Sequence, residues 1–244
     1  MSDDTIRLSK RMTELGLCSR READEFIEQG LVRVDGVVVD VLGSRVRPEQ
    51  RIELEARALN EQAERVTLLL HKPVGYVSGA AEVSGERPAW QLIKADTLSP
   101  TDRSGYTFLR KHQLHLAAAG RLDVDASGLL VLTQDGRVAR KLLSGDCEQE
   151  LLVWIDRPLD DAGLAALKAG VNSDGERLTA LRVSRQSDSQ LCFVLRDMQR
   201  RHIQRMCAAV GLQVKAVRRI RIGRVRLGDL QQGQWRYLGE NEKF

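Results

Sequence analysis

Apolar residues recur at helical spacing early in the chain and in short strand-like runs through much of the remainder. Leu8, Met12 and Leu15 stand at i, i+4 and i+7, and Gly16 follows as a C-cap, which predicts a helix over residues 7–15. Ser19-Arg20-Arg21-Glu22 reads as a capping box that opens a second helix. That helix carries Ala23, Phe26 and Ile27 inward and ends at Gly30. Residues 31–34, an Asp35-Gly36 turn and residues 37–41 predict a hairpin, and residues 51–54 a closing strand. Residues 55–65 are polar and charged and read as a linker.

Beyond the linker, residues 66–70 form a buried-strand pattern that stops at His71-Lys72-Pro73-Val74-Gly75. Residues 95–112, with Pro100 and Gly105, read as an exposed loop. Residues 129–133 predict a second buried strand, ended by Asp135-Gly136. Val138, Leu142 and Leu143 then give a short amphipathic helix, and residues 151–155 a third strand. Ile203, Met206, Cys207 and Val210 make one helical face, with Arg201 and Arg205 opposite it and Gly211 as cap. After it, Ile220 and Ile222 alternate with Arg219 and Arg221. Gly223 reads as a bulge, beyond which Val225 and Leu227 alternate with Arg224 and Arg226. This predicts a strand with one aliphatic face and a row of arginines in solvent. Strands broken by short helices indicate an α+β or mixed α/β core.

The 244 residues are 42% hydrophobic, enough for ordinary cores, and carry a net charge of +4 with a pI near 9.0. The placement of charge matters more than its sum. Basic residues gather over 7–21 and 200–226, and the second stretch meets no acid until Asp229. Localised basic patches suit a polyanion; either patch alone reads rather as a solvated face, the two together less so. Cys18, Cys147, Cys192 and Cys207 are isolated in sequence, so neither a zinc site nor a disulfide framework is expected and a reducing cytoplasm fits. No apolar run approaches membrane length.

Two places carry candidate chemistry. Arg20 and Arg21 put positive charge in a helix's first turn, against the macrodipole. A phosphate would use both guanidinium groups and the free backbone N–H groups there; alternatively Glu22 and Asp24 neutralise the pair. The second place is Gly120-Arg121-Leu122-Asp123-Val124-Asp125-Ala126-Ser127-Gly128, which sets Asp123 at the end of an element with a packed strand behind it. The spacing imitates the start of a calcium loop, but Gln134 stands where the bidentate Glu belongs and residues 129–133 are apolar. Calcium is therefore excluded. On this pattern alone Asp123 serves equally as a turn or cap residue or as a catalytic one.

Residues 6–54, above all Leu8-Ser9-Lys10 and the run from Gly16 to Asp24, resemble an S4 RNA-binding domain. His71 to Gly75, Gly120-Arg121-Leu122-Asp123, Ser127 to Gly136 and the Arg201-to-Met206 helix occur in the order found in RsuA-type rRNA pseudouridine synthases, closest to the RluF-like branch. The resemblance implies an S4 domain of the αL type over residues 1–54, a linker over 55–65 and a catalytic domain over 66–244. The latter would be an α+β fold built on a mixed, largely antiparallel sheet flanked by helices. It implies a cofactor-free, metal-free isomerase acting on uridine in ribosomal RNA, that of the large subunit first, with Asp123 as the catalytic carboxylate. Arg121, Leu151, Gln199, Arg200 and Arg201 would surround the substrate. RNA contacts would come from Lys10, Arg11, Ser19, Arg20, Arg21, Arg205, Arg219, Arg221, Arg224 and Arg226.

Three positions depart from the family pattern. Leu151 stands where a Tyr is usual, Gln199 replaces the first basic residue of the helix start, and Ala117-Ala118-Ala119 replaces a Pro-containing approach. These departures keep a second reading open, a catalytically silent RNA-binding protein of the same fold. On either reading the partner is ribosomal RNA, free or in an assembly intermediate, and the chain is expected to be monomeric and cytoplasmic.

Overall fold

The computed structural model describes residues 5–196, 199 and 201–244. Helices Leu8–Glu14 and Arg20–Glu28 share one apolar cluster with a three-stranded sheet in the order Val37–Val38, Val32–Val34, Ile52–Leu54. The hairpin turn needs positive φ at two successive residues, and Asp35 and Gly36 supply it at 51° and 83°. Residues 55–65 are mostly the helix Ala56–Ala63, whose Ala58 is buried in the same cluster.

A nine-stranded sheet organises the rest. Its main path runs Arg182–Ser187, Gln190–Leu195, Gln149–Ile155, Val214–Ile222, Ala126–Thr133, Thr67–Lys72, Trp235–Tyr237. Val214–Ile222 runs parallel to Ala126–Thr133, and the remaining pairs within this sheet are antiparallel. The Ala126–Thr133 strand is buried along its whole length, as a continuous apolar run at a sheet centre should be. Its alternate residues enter opposite cores. Leu130 and Leu132 join the cluster that holds Ile203, Met206 and Cys207 of helix His202–Ala209. Leu129 and Val131 join the one that holds Leu142 of helix Gly136–Leu143.

Gly128 is the fixed point of this arrangement. It has φ of +112°, and a Cβ there would lie 2.2 Å from the Arg219 carbonyl oxygen, so only glycine lets the two strands meet.

Residues 156–196, which carry no clear periodicity, supply helix Asp161–Ala169, the hairpin Val171–Ser173 with Glu176–Leu178, and two outer strands of the sheet. The expected bulge at Gly223 is instead a two-residue turn between Ile222 and its partner Val225. Register shifts lie elsewhere, opposite the Trp154–Ile155 step and opposite the Glu150–Leu151 step, where Glu150 faces Arg221 and Leu151 faces Arg219. The row of arginines expected in solvent does not form: Arg219, on the same strand parity as Val217, is only 1% exposed.

The N-terminal module sits directly on the sheet domain. A Cβ on Gly136 would stand 2.3 Å from that of Ser19, Arg65 pairs with Glu22, and Arg140 donates to the Thr13 carbonyl. No helix among the described residues is long and apolar enough to cross a membrane.

Candidate active site

Asp123 closes the turn that feeds the central strand, its carbonyl accepting from Ala126 N–H at 3.0 Å. Its side chain is half-buried and lines a cavity of about 270 Å³ with Ser78, Arg121, Leu122, Asp125 and Arg201. One carboxylate oxygen, Oδ2, accepts from the backbone N–H of Arg201 at 3.1 Å. Arg201 is the N-terminal flank of helix His202–Ala209 and takes a left-handed conformation, φ 51°. A helix start therefore points a donor at the carboxylate, a favourable alignment of dipole and anion. The neighbouring Asp125 accepts from Gln204 of the same helix at 3.3 Å.

Two cations lie beneath this surface. Arg219 donates from Nε to the Leu129 carbonyl at 2.7 Å, and from Nη1 to the Arg121 carbonyl at 2.9 Å and Gln149 Oε1 at 2.7 Å. Its Nη2 is buried with no hydrogen-bond partner among the described residues. Burial lowers its pKa to about 10, opposed by the negative charge of Asp123, so it stays protonated at neutral pH. Lys72, 0% exposed, donates to the carbonyls of Pro73 and Tyr76, both at 2.9 Å. Burial first, and then Arg219, lower its pKa to about 8, while Asp125 and Asp123 raise it. Both cations are oriented by backbone carbonyls, so their charge is held in place under the two carboxylates.

The other sequence-derived candidates divide. Arg121 is exposed at the cavity, its carbonyl held by Arg219. Arg201 reaches Asp123 through its backbone rather than by a guanidinium ion pair. Gln199 is exposed and outside the cavity lining, accepting from Arg205 at 3.4 Å; Arg200 lies outside the described residues. Leu151 is 0% exposed in the main core, opposite Arg219 and Phe193, and is not part of the cavity lining.

Several residues expected to meet RNA are engaged within the protein. Arg205 binds Glu176, Asp174 and the Ser173 carbonyl, fastening its helix to the adjacent hairpin. Arg221 pairs with Glu150 at 2.7 Å and lies 3.7 Å from Glu148. Arg224 and Arg226 are exposed at the hairpin end, free of ion pairs among the described residues. In the N-terminal module Ser19 and Glu22 complete the capping box, so the Ser19 and Glu22 N–H groups already have partners. Arg20 is exposed, Arg21 pairs with Glu25, Lys10 with Glu14, and Arg11 donates to the Pro48 carbonyl at 2.9 Å.

A larger cavity, about 380 Å³, opens between the module and the sheet domain. Glu22, Glu25, Glu61, Glu64 and Asp135 outnumber Arg21, Arg65 and Lys111 along it. The smaller cavity is also acid-rich, with Glu82, Glu86, Asp123 and Asp125 against Arg121 and Arg201, so the count of charges does not separate the two. The smaller cavity, which contains Asp123 and the Arg201 N–H that it accepts from, is the candidate site.

Sequence reading passed over Arg219 and Lys72 as members of this site. A signal existed for each. Arg219 shares strand parity with the core residue Val217, and Lys72 continues the buried run that begins at Val66.

Comparison with known proteins agrees with this architecture. A family model for the S4 domain matches residues 6–52, and one described as RNA pseudouridylate synthase matches residues 66–208. A dual-specificity RNA pseudouridine synthase RluF of Escherichia coli O157:H7 is 32% identical over 246 residues, covering 99% of this chain and 78% of that protein. An uncharacterized RNA pseudouridine synthase of Aquifex aeolicus is also 32% identical, over 97% of this chain and 94% of its own length. The ribosomal small subunit pseudouridine synthase A of Vibrio cholerae is 29% identical over 97% of both. A crystal structure of a pseudouridylate synthase superposes with a TM-score of 0.64 at 26% identity, covering 96% of each chain.

Proposed function

Since this chain belongs to the RNA pseudouridylate synthase family and carries an S4 domain ahead of the synthase domain, we propose that it isomerises specific uridines of ribosomal RNA, those of the large subunit first, with Asp123 as the catalytic carboxylate. The division of labour follows the domains: residues 1–54 bind RNA, 55–65 connect, and 66–244 carry the reaction. The observation that carries the reading is a carboxylate facing a nucleoside-scale cavity above two buried cations, Lys72 and Arg219.

The reaction breaks the N1–C1′ bond of uridine, turns the uracil and rejoins it through C5. The C5 proton is lost and N1 ends protonated, so composition is unchanged. Asp123 either attacks C1′ or removes the C2′ proton. Both routes need the carboxylate held at one place in the cavity, and the Arg201 N–H, from which Oδ2 accepts, holds it there. The uridine must first leave its stack, at a cost of a few kcal/mol that phosphate contacts offset. Exposed Arg20, Arg121, Arg224 and Arg226 are suited to those contacts.

The test is tritium release from 5-tritiated large- and small-subunit rRNA, with wild type and Asp123→Asn. Release from wild type that the substitution abolishes supports the reading. Equal release from both removes Asp123 from the mechanism, and release only from small-subunit rRNA corrects the substrate. Binding without release from either RNA favours the silent RNA-binding alternative.

A further inference from the structure

The turn after strand Thr67–Lys72 grips the segment around Asp123 from both sides. Ser78 Oγ donates to the Leu122 carbonyl at 2.7 Å and accepts from the Leu122 N–H at 2.9 Å. One hydroxyl thus satisfies both backbone groups of the residue before Asp123. The Leu122 side chain is itself 1% exposed in the main core, so that residue is anchored at backbone and side chain together. On the far side, Gly75 N–H donates to the Val124 carbonyl at 2.7 Å. The gripping turn is rigid in its own right. Lys72 binds its carbonyls at Pro73 and Tyr76, and the Arg87 guanidinium lies 4.5 Å from the centre of the Tyr76 ring.

We propose that Ser78 is a positioning residue for Asp123: it sets the carboxylate's place in the cavity through the backbone of Leu122, without itself reacting. This rests on the assignment of Asp123 above. The physical reason is that two buried backbone groups converge on one hydroxyl. Without it, Leu122 N–H and C=O lose their partners, and the segment bearing Asp123 relaxes toward whatever satisfies them. A carboxylate displaced by a fraction of an ångström loses alignment with C1′ or C2′, and reaction rate is steeply sensitive to such shifts. RNA affinity, which rests on dispersed cationic contacts, is not.

The experiment compares Ser78→Ala and Ser78→Thr with wild type and Asp123→Asn, measuring tritium release over a range of rRNA concentrations and thermal unfolding of each variant. Ser78→Ala is expected to lower kcat about 10- to 100-fold with KM within about twofold, while Ser78→Thr, which keeps the hydroxyl, recovers most of the rate. An unchanged kcat in Ser78→Ala overturns the proposal, as does a Thr variant that folds and is as slow as Ala. A loss expressed in KM alone also overturns it, by making Ser78 a substrate contact. If the Ala protein does not fold, Ser78→Cys replaces it; a weaker donor of similar shape should give an intermediate kcat, and a wild-type rate overturns the proposal. Wild-type release from Asp123→Asn sinks this inference together with the reading it stands on. An inactive Asp123→Asn beside a fully active Ser78→Ala sinks this inference alone.

Discussion

Two cavities among the described residues invert what size alone would suggest. The larger, between the domains, is lined by opposed charges that pair across it, as Arg65 does with Glu22 and Lys111 with Glu64. The smaller has carboxylates on its wall and two cations, Lys72 and Arg219, locked below by backbone carbonyls. Charges that satisfy one another hold domains together. Charges held apart, with one unpaired nitrogen on Arg219 among the described residues, leave a field for a substrate to complete.

The largest expected effect separates the two cavities outright. Asp123→Asn keeps the shape of the small cavity and removes its negative charge, and should lower the rate by about 10³-fold or more in the tritium-release assay. Arg219→Met comes next. It removes the donor to Leu129, Arg121 and Gln149 in a fully buried place, and should cost about 3 kcal/mol in urea unfolding along with most of the activity. A variant as stable and active as wild type would show that the guanidinium is incidental.

At the domain boundary, Gly136→Ala drives a methyl into Ser19 and Glu22, and should destabilise the docked arrangement by about 1–3 kcal/mol. Faster proteolysis of the N-terminal module, with the sheet domain still intact, is the readout. An unchanged digestion pattern would mean the boundary yields without strain.

The smallest effect concerns Lys72 and pH. Its pKa falls from the ordinary 10.5 to about 8 on folding, so between those values the unfolded chain holds the extra proton. Stability linked to this group is therefore lowest below pH 8 and rises as pH climbs from about 8 toward 10.5. Relative to Lys72→Met, wild type should gain about 1–2 kcal/mol in urea unfolding between pH 7.5 and 10. Parallel pH dependences in the two proteins would remove Lys72 as a buried cation.

Much of the architecture was legible because it depends on near neighbours. The capping box at Ser19 and Glu22, the Asp35-Gly36 turn, the central strand and the helix carrying Ile203, Met206 and Cys207 all formed where local pattern put them. Residues 156–196 did not announce themselves: their two sheet strands pair with each other, and Gln190–Leu195 joins the sheet only through the earlier strand Gln149–Ile155, across the intervening helix and hairpin. The arginines were the weakest point. Their alternation with isoleucine looked like a solvent row, but Arg219 shares its parity with the core residue Val217 and turns inward, and Arg221 pairs with Glu150 of the neighbouring strand.

The amino-acid order by itself determined where Asp123 stands: at the mouth of a buried strand, after a glycine-led turn and before the Gly128 that lets Arg219's strand approach. These are short-range consequences of backbone freedom and apolar runs. What surrounds the carboxylate was decided only in three dimensions. The Arg201 N–H, the Arg219 guanidinium and the Ser78 hydroxyl come from segments tens of residues away, brought together by strand pairing that no local pattern encodes.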